Sequence, residues 1–189
     1  MDNLHLDSRA LRVLAHPLRA RLLSELRLNG AATATQLAER LVTNTGATSY
    51  HLRKLAEVNL VTETGEGTGK QRFWQPAQES HSWSDTEHAD DPDAAAAAQW
   101  LQRHYANHFA ELHARWEDER QYWPDAWRDA ARTSDGLVTA TPEELDELMT
   151  ELEGVIVRYK ENLGDEPRPG ARRVSVQLYS MPTDLGDRP

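Results

Sequence analysis

Cysteine is missing from all 189 residues. Its absence excludes disulfides, thiolate metal sites and cysteine nucleophiles, and leaves no clue to redox compartment. Long apolar runs are missing too. Nothing approaches the ~18 consecutive apolar residues of a membrane helix, and the opening MDNLHLDSRALRV lacks the cationic lead and apolar stretch of a secretory signal. A cytoplasmic protein with no membrane association is therefore expected. There is no HExxH: the histidines at 104 and 108 sit in HYANH, which gives metalloprotease chemistry no support. The glycine-rich GEGTGK at 65–70 lacks the spacing of a phosphate-binding loop, puts Gln71 where a hydroxyl is needed, and leads into a strand instead of a helix. No nucleotide site, no cofactor and no enzymatic activity are expected.

What is present is a globular composition, 39% hydrophobic and 28% charged, long enough for one real core or a small domain plus an accessory one. The net charge of −10 argues at first against a nucleic-acid partner. The charge is unevenly placed. Residues 1–77 hold 10 Lys+Arg against 7 Asp+Glu, net +3, while residues 78–189 hold 11 against 24, net −13. Steering acts over about 8 Å at physiological salt, so a mildly basic head on an acidic body is compatible with DNA and implies weak non-specific affinity.

The head reads as helices. Ser8 can cap a first one, with Leu11, Val13 and Leu14 apolar; Pro17 opens a second, where Leu18, Leu22, Leu23, Leu26 and Leu28 recur at helical spacing until Asn29-Gly30. Thr33 or Thr35 caps a short helix with Leu37, Ala38 and Leu41 inward. Val42-Thr43-Asn44 breaks it, and Asn44 caps a helix over about Thr45–Val58. Thr48, Leu52 and Leu55 face inward; Thr45, Gly46, Ser49, Tyr50, Arg53 and Lys54 face out. Small hydrogen-bonding residues on the first turns let such a helix approach a groove floor, and the cations a turn later suit phosphate. Leu60–Glu63, the glycine-rich tip and Gln71–Trp74 form a wing anchored by Val61, Phe73 and Trp74, with Lys70 and Arg72 placed for phosphate or the minor groove.

The strings LAHPLRARLLSEL, QLAERL, TSYHLRKLAEVNLV and TGKQRFW, over about residues 9–75, resemble the ArsR-type winged helix-turn-helix regulators. The resemblance implies a homodimeric repressor that leaves a palindromic double-stranded DNA operator when an effector, a small molecule or a metal, binds. By position, Thr45, Gly46, Ser49 and Tyr50 would face bases, and Arg53, Lys54, Lys70 and Arg72 the backbone. The chain departs from the pattern twice. Val42-Thr43 stands where the break often has glycine and an apolar residue, and a β-branched residue resists positive φ, so a different path is expected there. Thr48 stands where Val or Ile is usual.

Residues 78–92 are polar, acidic and turn-rich, and read as a linker between a winged domain at 1–77 and a dimerisation and effector-sensing region at 93–189. Asp91 or Asp93 caps a long helix from about Pro92 to Tyr122, with Ala94, Ala98, Leu101, Tyr105, Phe109, Leu112 and Trp116 in one stripe. A monomer of this size cannot easily cover that stripe, so pairing through it is the economical expectation. Leu137–Ala140 and Val174–Leu178 read as strands flanking a helix capped by Thr141, whose apolar side is Leu145, Leu148, Met149, Leu152, Ile156 and Tyr159. The expected fold is thus mainly α with small β elements: a winged helix-turn-helix domain, a long dimerisation helix and a small α/β accessory unit.

Five of the eight histidines fall between 81 and 113. His104 and His108, at i and i+4, share a helix face and are candidate Zn²⁺ or Ni²⁺ ligands, with a third from Glu111, His81, His88 or a partner chain; ordinary helix-surface or interface roles compete. Trp100, Tyr105, Trp116, Trp123 and Trp127 are candidates to line an apolar effector pocket, or simply core packing. The readings that compete with a DNA-binding regulator are a winged-helix interaction adaptor without DNA binding, and a His-dependent metal protein.

Overall fold

The computed structural model describes residues 3–67, 71–164, 168–184 and 186. In chain order the elements are β1 (Asn3–His5), α1 (Ser8–Leu14), α2 (Pro17–Asn29), β2 (Ala32–Thr33), α3 (Ala34–Arg40), α4 (Thr45–Ala56), β3 (Val61–Glu63), β4 (Phe73–Pro76), β5 (Ser80–Ser82), α5 (Pro92–Glu119), a 3-10 turn (Arg120–Tyr122), α6 (Asp125–Ala130) and α7 (Pro142–Leu163). The fold is mainly helical with small sheets. The chain divides into two compact units, Met1–Ala110 and Glu111–Pro189. Among the described residues no helix is long and apolar enough to cross a membrane.

Side chains that satisfy orphan N–H groups set the helix starts of the first unit. Asp7, not Ser8, caps α1 by accepting from the Ala10 N–H at 2.7 Å. Ser8 is the first helical residue, and its hydroxyl donates to Nδ1 of buried His88, whose Nε2 faces the Leu6 carbonyl and so carries the proton. His16 caps α2 ahead of Pro17, Thr33 and Gln36 form a capping box on α3, and Asn44 caps α4. Gly30, at φ 81°, ends α2.

The core is a leucine cluster: Leu6, Leu11, Leu14, Leu22, Leu23, Leu26, Leu37, Leu52 and Leu55 are all completely buried. Each contributes about 1.5–3 kcal/mol of transfer free energy. β2, β4 and β3 form an antiparallel sheet in that order, with Glu63 opposite Trp74. Buried Val61 and Trp74 anchor the wing, and Phe73 is only half-buried. Gly67, at φ 123°, turns its tip, and a Cβ there would strike the Gln71 carbonyl.

The segment read as a linker is structured. β5 lies parallel to β1, with Asn3 opposite Ser80 and His5 opposite Ser82. Two side-chain contacts tie the same region to the start of the chain, a His5–Glu87 hydrogen bond and an Arg12–Asp91 ion pair, both at 2.6 Å. Asp91 also caps α5. The compact first unit thus runs past residue 77, and Ala94, Ala97, Ala98 and Leu101 of α5 pack into its core.

The second unit contains α6 and α7. Thr141 and Glu144 form the capping box of α7, with Pro142 at its first position. The strands expected at 137–140 and 174–178 are not formed, so there is no α/β accessory unit among the described residues. Leu137, Val138, Val174 and Val176 are all exposed, because alternation makes a strand only where a neighbour accepts its hydrogen bonds.

Candidate nucleic-acid interface

α3 and α4 pack together as the two arms of a helix-turn-helix. Leu37 and Ala38 turn into the crossing, and Thr48, Leu52 and Leu55 hold the back of α4. Thr48 is fully buried, yet its hydroxyl is satisfied: it donates to the Asn44 carbonyl at 3.0 Å, one turn back. That bond accommodates a hydroxyl where an aliphatic residue is usual.

The break does use positive φ. Val42 adopts φ 52°, the left-handed conformation, and its side chain is 92% exposed. The expectation that a β-branched residue would avoid this conformation is overturned. Hydrogen bonds from the Val42 N–H to the Glu39 carbonyl and from the Thr43 N–H to the Ala38 carbonyl hold the backbone, and the cap on α4 follows two residues later. The surrounding structure over-determines the residue.

α4 presents Thr45 and Gly46 fully outward, Tyr50 at 53% exposure and Ser49 half-buried. Gly46 is close to its own cap: a Cβ would meet Asn44 Oδ1 at 3.3 Å. Behind this face His51 packs on His16 with ring centroids 4.5 Å apart, and Tyr50 meets His51 edge-on. Burial lowers the pKa of both histidines. Arg19 lowers that of His16 further, and His16 and then Arg19 lower that of His51. Arg19 is itself held by the Val13 carbonyl. A neutral imidazole pair thus braces α4 against the start of α2.

The cations differ in readiness. Arg53 is exposed and makes no ion pair among the described residues. Lys54 donates to both Glu57 oxygens at 2.9 Å and lies 5.9 Å from the Tyr50 ring centroid. Arg72 pairs with Glu63 across the wing at 2.6 Å. Lys70 lies outside the described residues.

The other candidate residues separate into groups. Trp116, Trp123 and Trp127 form an edge-to-face chain in the second unit, with centroids 5.6 and 6.0 Å apart. In the first unit Trp100 stacks on His104, and Tyr105 packs against His81 and Trp83. Two of the five candidate aromatics thus lie in the first unit and three in the second. His104 and His108 do share a face, their rings parallel at 6.4 Å. Among the described residues no third His, Cys, Asp or Glu joins them to make a metal site. His81 accepts from the Arg27 guanidinium at 2.6 Å, and His88 is engaged with Ser8.

Periodicity gave no sign of the polar cluster around Arg27. This guanidinium and His81 are packed under Trp83 and Tyr105. Burial, reinforced by Arg27, pulls the His81 pKa down to about 3, and burial pushes Tyr105 up to about 12. Among the described residues the buried Arg27 Nε and Tyr105 hydroxyl meet no hydrogen-bond partner.

Residues 14–64 match the model of a family described as a helix-turn-helix domain. This part of the chain is a helix-turn-helix domain, and with the β3–β4 wing it is a winged one, as the ArsR-type resemblance implies. No curated protein matches the chain. Among solved structures it is similar to reduced HlyU from Vibrio cholerae N16961, at 22% identity over 51% of this chain and 85% of that one, TM-score 0.33. It is similar to a possible transcriptional regulator for arsenical resistance, at 29% identity over 51% and 82%, TM-score 0.32. A third is the C30AH42A mutant of Lactococcus lactis ZitR in apo form, at 15% over 75% and 80%, TM-score 0.30. TM-scores this low carry no argument for the chain as a whole.

Proposed function

We propose that the protein is a sequence-specific DNA-binding transcriptional regulator, a homodimeric repressor that an effector releases from a palindromic operator. The observation that carries the reading is the outward face of α4: Thr45, Gly46 and Tyr50 exposed, Ser49 beside them, on a helix braced from behind by Leu52, Leu55 and the His16–His51 pair. In this reading those four residues contact base edges, and Arg53, Lys54, Lys70 and Arg72 contact phosphates. The repressor role and the effector rest on the resemblance alone.

The α5 stripe supports pairing less than its spacing implied. Ala94, Ala98 and Leu101 are consumed by the core of their own unit, leaving Phe109, Leu112 and Trp116 farther along. Fluorescence anisotropy on fragments of the protein's own promoter region tests the function. Specific binding should exceed binding to scrambled DNA by at least about 10³-fold. Equal binding to both sequences, or none at 50 mM salt, overturns it and favours the adaptor.

A further inference from the structure

α7 is a 22-residue helix, about 33 Å long, without a single buried residue. It nonetheless carries a continuous apolar stripe: Leu145, Leu148, Met149, Leu152, Val155, Ile156, Tyr159 and Leu163 recur at intervals of three and four. Leu152 and Val155 are each 38% exposed, Tyr159 62% and Leu163 50%. Among the described residues of its own unit, no other helix packs extensively along it. Its ends are well made, with the capping box at Thr141 and Gly164 at φ 62° closing the far end. Leu145, Leu148, Met149 and Ile156 are half-buried, so the helix keeps part of its stripe, from Leu152 to Leu163, for a partner.

The charges set the orientation in which a second copy fits. The half from 142 to 152 carries Glu143, Glu144, Asp146, Glu147 and Glu151 and no cation. The half from 153 to 163 carries Glu153 and Glu161 balanced by Arg158 and Lys160. A second copy laid parallel would set five carboxylates against five. Laid antiparallel, the same copy brings each acidic half opposite the half that holds both cations, and the helix dipoles oppose favourably. The helix is centred near Leu152, so a two-fold axis there sets Leu145 beside Tyr159 of the other copy and Leu148 beside its Ile156.

We infer that α7 self-associates antiparallel about an axis near Leu152 and forms a seam of the homodimer. This deepens the proposed dimer and rests on it. The surface is isologous, as a two-fold contact requires.

The cysteine-free chain makes the test clean. Under mild oxidation L152C should cross-link to itself, since the axis brings position 152 within disulfide reach of its copy. L145C alone should not, because its copies stand about 21 Å apart along the axis; neither should Y159C alone. The double variant L145C/Y159C should link. Independently, D146K/E147K, which leaves the Thr141–Glu144 capping box intact, should raise the dissociation constant in sedimentation equilibrium at least tenfold, and adding R158E/K160E should restore it. Efficient self-linking of L145C would mean a parallel pair, and a native chain that stays monomeric at 100 µM would mean no pair; either overturns the inference. So does failure of L152C to link when circular dichroism shows it folded. Cross-linking is read without DNA, so its failure beside intact operator binding removes only this seam.

Discussion

Replacing Val42 by glycine should stabilise the protein. Val42 sits at φ 52° with its side chain 92% exposed, so removing the side chain sacrifices almost no burial. A left-handed conformation costs an L-residue about 1–2 kcal/mol, and branching at Cβ places valine at the upper end of that range. Glycine returns about 0.5–1 kcal/mol of this through the added freedom of the unfolded chain. The net expectation is a gain of about 1 kcal/mol. With a urea m-value near about 2 kcal/mol/M, the midpoint should rise by about 0.5 M with m unchanged. Asparagine, which tolerates this conformation, should recover part of the gain, and alanine less. Equilibrium urea unfolding followed by far-UV circular dichroism checks the order glycine, asparagine, alanine, valine. A V42G midpoint equal to or below that of the native chain, at constant m, would refute the claim that the turn is strained.

Acid should destabilise the first unit through His81. Its folded pKa, about 3, lies below the ordinary 6.5, so the unfolded chain binds the proton first. The stability is fully present above about pH 6.5 and falls progressively as pH drops toward about 3. H81N, which keeps an acceptor for Arg27 but does not titrate, should flatten that slope in thermal-unfolding scans across pH. Freeing Arg72 by E63Q should tighten binding to DNA of every sequence with little change in salt slope, since Arg72 contacts phosphate in the proposed complex either way, whereas R53A should weaken binding to every sequence and make the salt dependence shallower by about one unit; anisotropy titrations from 50 to 200 mM salt read both, and E63Q binding no tighter than the native chain's would count against the wing contact. T48V, which exchanges a satisfied hydroxyl for a methyl, should change stability by less than about 1 kcal/mol, while T48A should lose about 1–2 kcal/mol to an unfilled space; urea midpoints separate the two.

The helices of the head were legible because their determinants are local. Leucines at spacings of three and four, Thr33 and Asn44 as caps, and Gly30 as a stop all act within one or two turns. Thr141 and Pro142 marked α7 in the same way. What escaped depends on residues far apart in the chain. β1 and β5 are three residues each, and the polar Ser80-His81-Ser82 is indistinguishable from a turn until Asn3–His5, more than seventy residues away, lies beside it. Arg27 meets His81 by the same route. The 174–178 alternation misled in the opposite sense, since period two describes what a strand would bury and says nothing about whether a neighbour exists. Val42 shows tertiary context overriding a local preference: the bonds on either side of the turn outweigh its steric cost. Of the candidate site, the identity of the outward residues on α4 was readable, and the engagement of Lys54 and Arg72 by carboxylates was not, because those pairs depend on side-chain placement across a turn and across a hairpin.

Those two tethered cations bear on how such a head would find its target. In the proposed complex each phosphate contact by Lys54 or Arg72 would first displace Glu57 or Glu63, so attraction to arbitrary duplex would be blunted while the α4 residues proposed to face bases would keep their full discrimination. Dwell times on irrelevant stretches would be brief, little of the protein would be sequestered along the chromosome, and scanning would proceed by frequent release and recapture instead of long sliding excursions.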